Sequence, residues 1–140
     1  MVGSSSHTLL FPLLLLFASL VAGWSIFTYR HIYIKNDLEN NTNLLVHCHS
    51  IIDYIDVHTL KYEEEFKFKF QPNFVGNTNY IFSLKWDRES FLFDAYNSQR
   101  DGKRCKDCKW SIQKDQPCRF NFGTQKYDIC DYSYRLYVAM

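Results

Sequence analysis

Proline and glycine are scarce in this chain, with three and five among 140 residues, and no low-complexity tract or internal repeat is present. Nothing therefore marks a second domain or a long linker. A charge excess is also missing. The formal net charge is +1, which argues against general nucleic-acid binding, a function that usually shows a strong basic surplus. Helical apolar periodicity is absent beyond the amino-terminal segment. So are a serine nucleophile elbow, a phosphate loop and a calcium-loop motif. After that first segment no other apolar run is long enough to cross a membrane.

What is present begins with a leader. Leu9 to Gly23 is an apolar run containing Pro12 and ending in the small residues Ala22 and Gly23. Its length and ending suit a secretory signal better than a spanning helix, although Met1 to Thr8 lacks the usual Lys or Arg. Residues 1–23 are read as a cleaved signal peptide, with the cut after Ala22 or Gly23. Residues 24–140 are read as one domain, exported, with no membrane insertion after cleavage. At about 117 residues it is large enough for a single core.

All five cysteines, Cys48, Cys105, Cys108, Cys118 and Cys130, follow the leader. In an exported chain they read as a disulfide framework, with one thiol left over from at most two internal bridges. The Cys105–Cys108 spacing also fits zinc or redox chemistry. Zinc would want a second ligand pair, for which His47-Cys48-His49 is the candidate, but alternation on a strand turns the histidines away from the cysteine. A redox pair wants a helix start in a βαβ setting, which the sequence does not offer. No cofactor and no metal are expected. A Cys48–Cys130 bridge would close a loop of about 80 residues and contribute roughly 4–5 kcal/mol in the chain-entropy account. That pair is the expected one, with Cys118 joined to Cys105 or Cys108.

The remaining pattern is period two. Ile32 and Ile34 alternate with His31, Tyr33 and Lys35, and Asn36-Asp37 begins a turn that Asn40-Asn41 continues. Further strands are expected at Leu44–Ser50, Val57–Leu60, Glu65–Phe70, Thr78–Trp86, Phe91–Tyr96, Cys108–Lys114, Cys118–Phe122 and Lys126–Tyr132, the last extended through Tyr134 to Val138. Phe66, Phe68 and Phe70 share one face, opposite Glu65, Lys67 and Lys69. Roughly eight strands at this spacing predict an all-β fold, a small antiparallel sandwich stabilised by disulfides.

Candidate functional residues are weighed against ordinary structural roles. His31, His47, His49 and His58 lie mostly on regular strands, without a recognisable acid, base and phosphate-binding cation to complete a hydrolase site. Asp94 and Asp128 are expected to satisfy backbone donors at strand ends. Trp86 and Trp110 would be stacking platforms in a carbohydrate module, but in a sandwich they are expected in the core. Asn40-Asn41-Thr42 is a glycosylation sequon in an exposed turn, which makes Asn40 a candidate acceptor. Arg100 to Lys109 carries five basic and two acidic residues, a local +3. Arg100, Lys103, Arg104 and Lys106 are therefore expected to meet an acidic partner from a loop held by the sheets.

Taken in order, a series of pieces resembles the plant self-incompatibility S-protein family. They are Asn36-Asp37-Leu38, Leu45 to Ser50, Phe68 to Phe74 with Gly76 and Thr78, Trp86, and Phe93-Asp94-Ala95-Tyr96. Arg100-Asp101, Cys105 through Trp110, Pro117-Cys118-Arg119-Phe120 and Tyr127-Asp128-Ile129-Cys130 complete them. The resemblance implies a secreted β-sandwich that acts without catalysis, as a recognition or signalling ligand for a cell-surface receptor protein, in self-incompatibility or another pollen–pistil exchange. A cell-wall carbohydrate module and a small secreted hydrolase are the alternatives. Two departures stand out. The family usually has a cysteine where this chain has Phe82, which accounts for the odd cysteine count, and the tail after Cys130 is longer and differently composed.

Overall fold

The structure, a computed structural model, describes residues 29–49, 56–72 and 76–137. The leader and its cleavage point, the end of the second expected strand at Ser50, and Val138 lie outside these residues. Among the described residues ten strands run in chain order: β1 (Arg30–Asn36), β2 (Leu44–His49), β3 (His58–Leu60), β4 (Glu65–Phe70), β5 (Asn79–Trp86), β6 (Glu89–Asn97), β7 (Asp107–Ile112), β8 (Pro117–Asn121), β9 (Lys126–Ile129) and β10 (Arg135–Leu136). A single-turn helix, α1 (Ser98–Asp101), interrupts them.

The strands form two five-stranded sheets. The first has the order β4-β1-β7-β8-β9 and the second β10-β6-β5-β2-β3. The all-β sandwich read from the alternation is therefore present, with two differences. The β1–β7 pair is parallel, so the first sheet is mixed. The tail does not prolong β9. It crosses over, and β10 pairs with β6 of the second sheet. Alternation reveals which face a strand buries but not which neighbour it finds.

Alternation also fills the core. Ile32 and Ile34 of β1 face inward against Val46, Phe82, Leu84 and Phe93 of the second sheet, all buried. Of the three phenylalanines of β4, Phe70 is buried, while Phe66 and Phe68 pack half-buried on the same core. Ring pairs stitch the sheets together, with Phe68 5.7 Å from Phe82 and Phe70 4.7 Å from Tyr96 in an edge contact. Trp86 and Trp110 are both core residues, as expected. Trp110 is fully enclosed. Its Nε1 donates to the Ala95 carbonyl across the sheets (2.9 Å), so the indole brings its own polar group into the core satisfied.

Asn36, fully buried, ends β1. Its Nδ2 donates to the carbonyls of Thr42 (2.8 Å) and Leu60 (2.9 Å), and its Oδ1 accepts from the Leu38 N–H (2.9 Å). One side chain thus fixes the turn expected at Asn36-Asp37 and ties it to β3. The β5–β6 hairpin closes through Asp87 and Arg88, both at positive φ (48° and 68°), the two-residue geometry whose twist matches paired strands.

The cysteines pair differently from expectation. The bridges are Cys105–Cys108 and Cys118–Cys130, and Cys48 lies outside both. The physical reason is placement. Cys48 is buried on β2 in the second sheet, whereas Cys130 follows β9 at the edge of the first, beside Cys118 on neighbouring β8. Loop-closure entropy favours long loops but cannot bring separated strands together. Phe82, at the position where a further cysteine was expected, stands directly opposite Cys48 across the β2–β5 ladder.

Candidate functional site

The segment between β6 and β7 was expected to be a polar basic loop. It begins instead as α1, because Asn97 caps it, its side-chain oxygen accepting from the N–H groups of Gln99 (3.0 Å) and Arg100 (3.3 Å). Gly102 follows, and a Cβ there would sit 2.5 Å from the Ser98 carbonyl oxygen, so the turn admits only glycine.

Beneath the segment lies a buried ion cluster. Asp101 is fully buried. Arg100 Nε donates to its Oδ1 (2.8 Å) and Nη2 to its Oδ2 (2.7 Å), Arg119 Nη2 donates to Oδ1 (2.7 Å), and the Asn97 N–H to Oδ2 (2.9 Å). Both guanidinium groups lie over aromatic rings, Arg100 5.4 Å from Trp110 and Arg119 4.7 Å from it, each also close to Tyr132. Burial by itself would raise the Asp101 carboxyl, but the hydrogen bonds and charge of the two arginines hold it below the usual carboxylate range.

Of the four expected contact residues, Arg100 is only partly exposed and is committed within the fold. It is tied to Asp101 and also donates to the Asp94 carbonyl (2.8 Å). The other three expected residues, Lys103, Arg104 and Lys106, are exposed. They occupy a short arc pinned at one end by Asp101, whose carbonyl accepts from Arg104 and Cys105, and at the other by the Cys105–Cys108 bridge and the His31 N–H to the Lys106 carbonyl (2.9 Å). Three cations are thus presented on a backbone with little freedom. Arg119 and Tyr132, which complete the anchor, went unrecognised. A buried arginine in an alternating strand carries no local signal.

The other candidates fall elsewhere. Asn40 is exposed at φ 61° in a turn at the opposite end of the sandwich, with Thr42 Oγ1 donating to the Glu39 carbonyl. That turn borders a cavity of about 490 Å3 whose charged lining is Asp37, Glu39, Asp87, Asp115 and Lys114. His31 Nδ1 lies 3.1 Å from Asp107 without hydrogen-bond alignment. His47 and His49 share the outer face of β2, ring centroids 4.4 Å apart, and His58 packs on Phe66. The histidines thus occupy both sheets and converge on no one pocket. Asp94 and Asp128 bond side chains instead of backbone donors: Arg135 Nη2 donates to Asp94 (3.0 Å) and Thr124 Oγ1 to Asp128 (2.7 Å).

Two buried tryptophans, a bridged β8–β9 pair and an Arg-Asp anchor under a basic arc define a small disulfide-bonded β-sandwich. The chain matches the family of the plant self-incompatibility protein S1 over residues 31–132 and belongs to that family. S-protein homolog 2 of Arabidopsis thaliana is 40% identical over 106 residues, covering 72% of this chain and 66% of the relative. S-protein homolog 5 of the same plant is 37% identical over 105 residues, covering 75% and 82%. Among solved structures, one of the self-incompatibility protein homologues superposes with a TM-score of 0.58 at 16% identity, covering 80% of this chain and 97% of the other. The homologues of that solved structure are described as small, highly stable, secreted plant proteins; for this chain the likeness establishes the fold.

Proposed function

We propose that this chain is a secreted, non-catalytic recognition ligand that engages an acidic segment of a cell-surface protein through Lys103, Arg104 and Lys106. The observation that carries this is the anchoring of the arc. Asp101 and the Cys105–Cys108 bridge hold its ends, so the ordering cost that binding would impose on a loose loop is already met by the fold. Exposed cations fixed in place steer an acidic partner and make association salt-dependent. Family membership supports a role in pollen–pistil exchange, self-incompatibility included, and expression confined to the pistil would favour that role over others.

The test uses the purified, labelled protein on intact plant cells. Saturable surface binding, displaced by unlabelled protein and weakened by salt, is expected. The Lys103→Ser/Arg104→Ser/Lys106→Ser variant should fold normally and lose that binding. A folded variant with unchanged affinity and salt dependence would overturn the assignment. Turnover of a phosphodiester or glycoside by the purified protein would instead favour a hydrolase.

A further inference from the structure

The outer face of the first sheet carries a second arrangement that the basic arc does not use. Tyr33 on β1 is the register partner of Lys67 on β4 and of Lys109 on β7. Both ammonium groups lie over its ring, Lys67 Nζ at 5.2 Å from the centroid and Lys109 Nζ at 5.1 Å. Lys109 also lies 5.2 Å from the ring of Phe120 on β8, and Phe120 meets Phe122 edge-on at 5.0 Å. The result is a row, Lys67–Tyr33–Lys109–Phe120, that crosses four strands, about 14 Å at ordinary strand spacing. It ends at Phe122, which is 55% exposed.

The charges of the row are uncommitted. Among the described residues neither Lys67 nor Lys109 has a carboxylate within ion-pair distance. Of the acidic groups of this face, Asp37 pairs with Lys35 and accepts from Ser111, Glu65 stands opposite Lys35 at the far end, and Asp107 lies partly exposed beside His31 without a hydrogen bond, two positions from Lys109. Two ammonium groups flanking one ring give this stretch of the face a local positive charge that an anion lying across the row would meet.

At the Phe122 end lies a cavity of about 350 Å3, bordered by Arg104, Asp107, Phe120, Phe122 and Tyr132. Arg119 lines it too. That residue is 7% exposed and its Nε has no hydrogen-bond partner. That Nε is closed off from solvent and the guanidinium is turned onto Asp101, so the cation that the cavity offers a ligand is Arg104.

We propose that this row and cavity bind a linear anionic glycan of the uronic-acid class. Carboxylates would meet Lys67, Lys109 and, at the cavity, Arg104, while the apolar faces of the sugar rings stack on Phe120 and Phe122. An added peptide strand is disfavoured, because β1 and β7 are paired on both sides and expose no free ladder edge. A nucleic acid is disfavoured by the near-neutral net charge. The tryptophans that would have served a carbohydrate module are buried, so the platform consists of other rings. The site adjoins the receptor contact proposed above and shares Arg104 with it at the rim of the cavity, whereas Lys103 and Lys106 take no part in it.

The experiment is calorimetric titration of the full secreted protein with oligomers of de-esterified polygalacturonate. Fully methyl-esterified oligomers and single-stranded DNA serve as comparators. Binding to the de-esterified form is expected, weakening as salt rises, with the ester form and DNA both bound more weakly. Lys67→Gln/Lys109→Gln should reduce affinity about tenfold or more while the melting temperature holds. Phe122→Ser should weaken binding as well, and Lys103→Ser/Lys106→Ser should leave it largely intact even though cell-surface binding falls. No binding by the wild type, equal binding of ester and acid forms, equal binding of DNA, or an unaffected double lysine variant would each overturn the proposal.

Discussion

At the scale of single residues, Asp101 is where this sequence bears the largest electrostatic consequence. Two arginines converge on one fully buried carboxylate, so Asp101→Asn leaves both guanidinium groups with less than their counter-charge. Breaking a buried pair from one side costs about 3–5 kcal/mol, and a loss of that size is expected in urea denaturation. By contrast Lys103, Arg104 and Lys106 are exposed, and their replacement should each stay within about 0.5 kcal/mol. Adding Arg100→Ser to that set should destabilise, because Arg100 belongs to the cluster. His49 gives a pH dependence. Desolvation and the neighbouring His47 lower its pKa from the ordinary 6.5. The unfolded chain then takes up the proton first. The stability is fully present above about pH 6.5 and is lost as pH falls through the lowered folded value. Denaturation midpoints should therefore drop on acidification, and His49→Asn should flatten that drop. Identical pH profiles for the two proteins would refute it.

At the scale of elements, the β8–β9 pair and the β2–β5 pair make separate tests. The Cys118–Cys130 bridge closes a short loop, with a sequence separation of 12. In the chain-entropy account its removal by Cys118→Ser/Cys130→Ser costs about 3 kcal/mol, less than the long Cys48–Cys130 loop would have given. The β2–β5 register sets Cys48 opposite Phe82, both buried and facing inward. Phe82→Cys should therefore place a third cystine between positions 48 and 82, seen by peptide mapping without reduction. Losing the phenylalanine ring costs about 3–5 kcal/mol and the new bridge returns a similar amount, so the pairing and not the melting temperature is the measurement. Mapping that finds position 82 reduced would count against the register.

At the scale of the whole molecule, charge is sorted by position although the total is small. The end bearing the β6–β7 segment presents Lys103, Arg104 and Lys106. The opposite end gathers Asp37, Glu39, Asp87 and Asp115 around its cavity against one cation, Lys114, with Asn40 beside it. A net charge of +1 hides this polarity, which would orient the protein toward an acidic partner as it approaches. Export is the remaining prediction at this scale. Expressed with residues 1–23 in plant cells, the protein should accumulate in the medium with its amino terminus near Gly23 or Trp24, by amino-terminal sequencing. A product retained in membranes and beginning at Met1 would contradict it.

The sequence by itself determined whatever depends on neighbours along the chain. Period-two alternation put Ile32 and Ile34 on one face of β1 and Phe66, Phe68 and Phe70 on one face of β4, because successive side chains of a strand point to opposite sides whatever the strand pairs with. Turn chemistry at Asn36-Asp37 and the arc from Lys103 to Lys106 were legible for the same reason. The tertiary structure alone decided everything that depends on which strands lie side by side. It joined Cys130 to Cys118 and not to Cys48, made β1 and β7 parallel neighbours, and sent the tail to β6. It also made Arg100 part of an anchor by bringing Arg119, eighteen residues beyond Asp101, onto the same carboxylate. The row of Lys67, Tyr33 and Lys109 exists for that reason too. These three residues are distant in the chain and meet only because ladder hydrogen bonds fix the register of three strands, and no local pattern encodes register between segments so far apart.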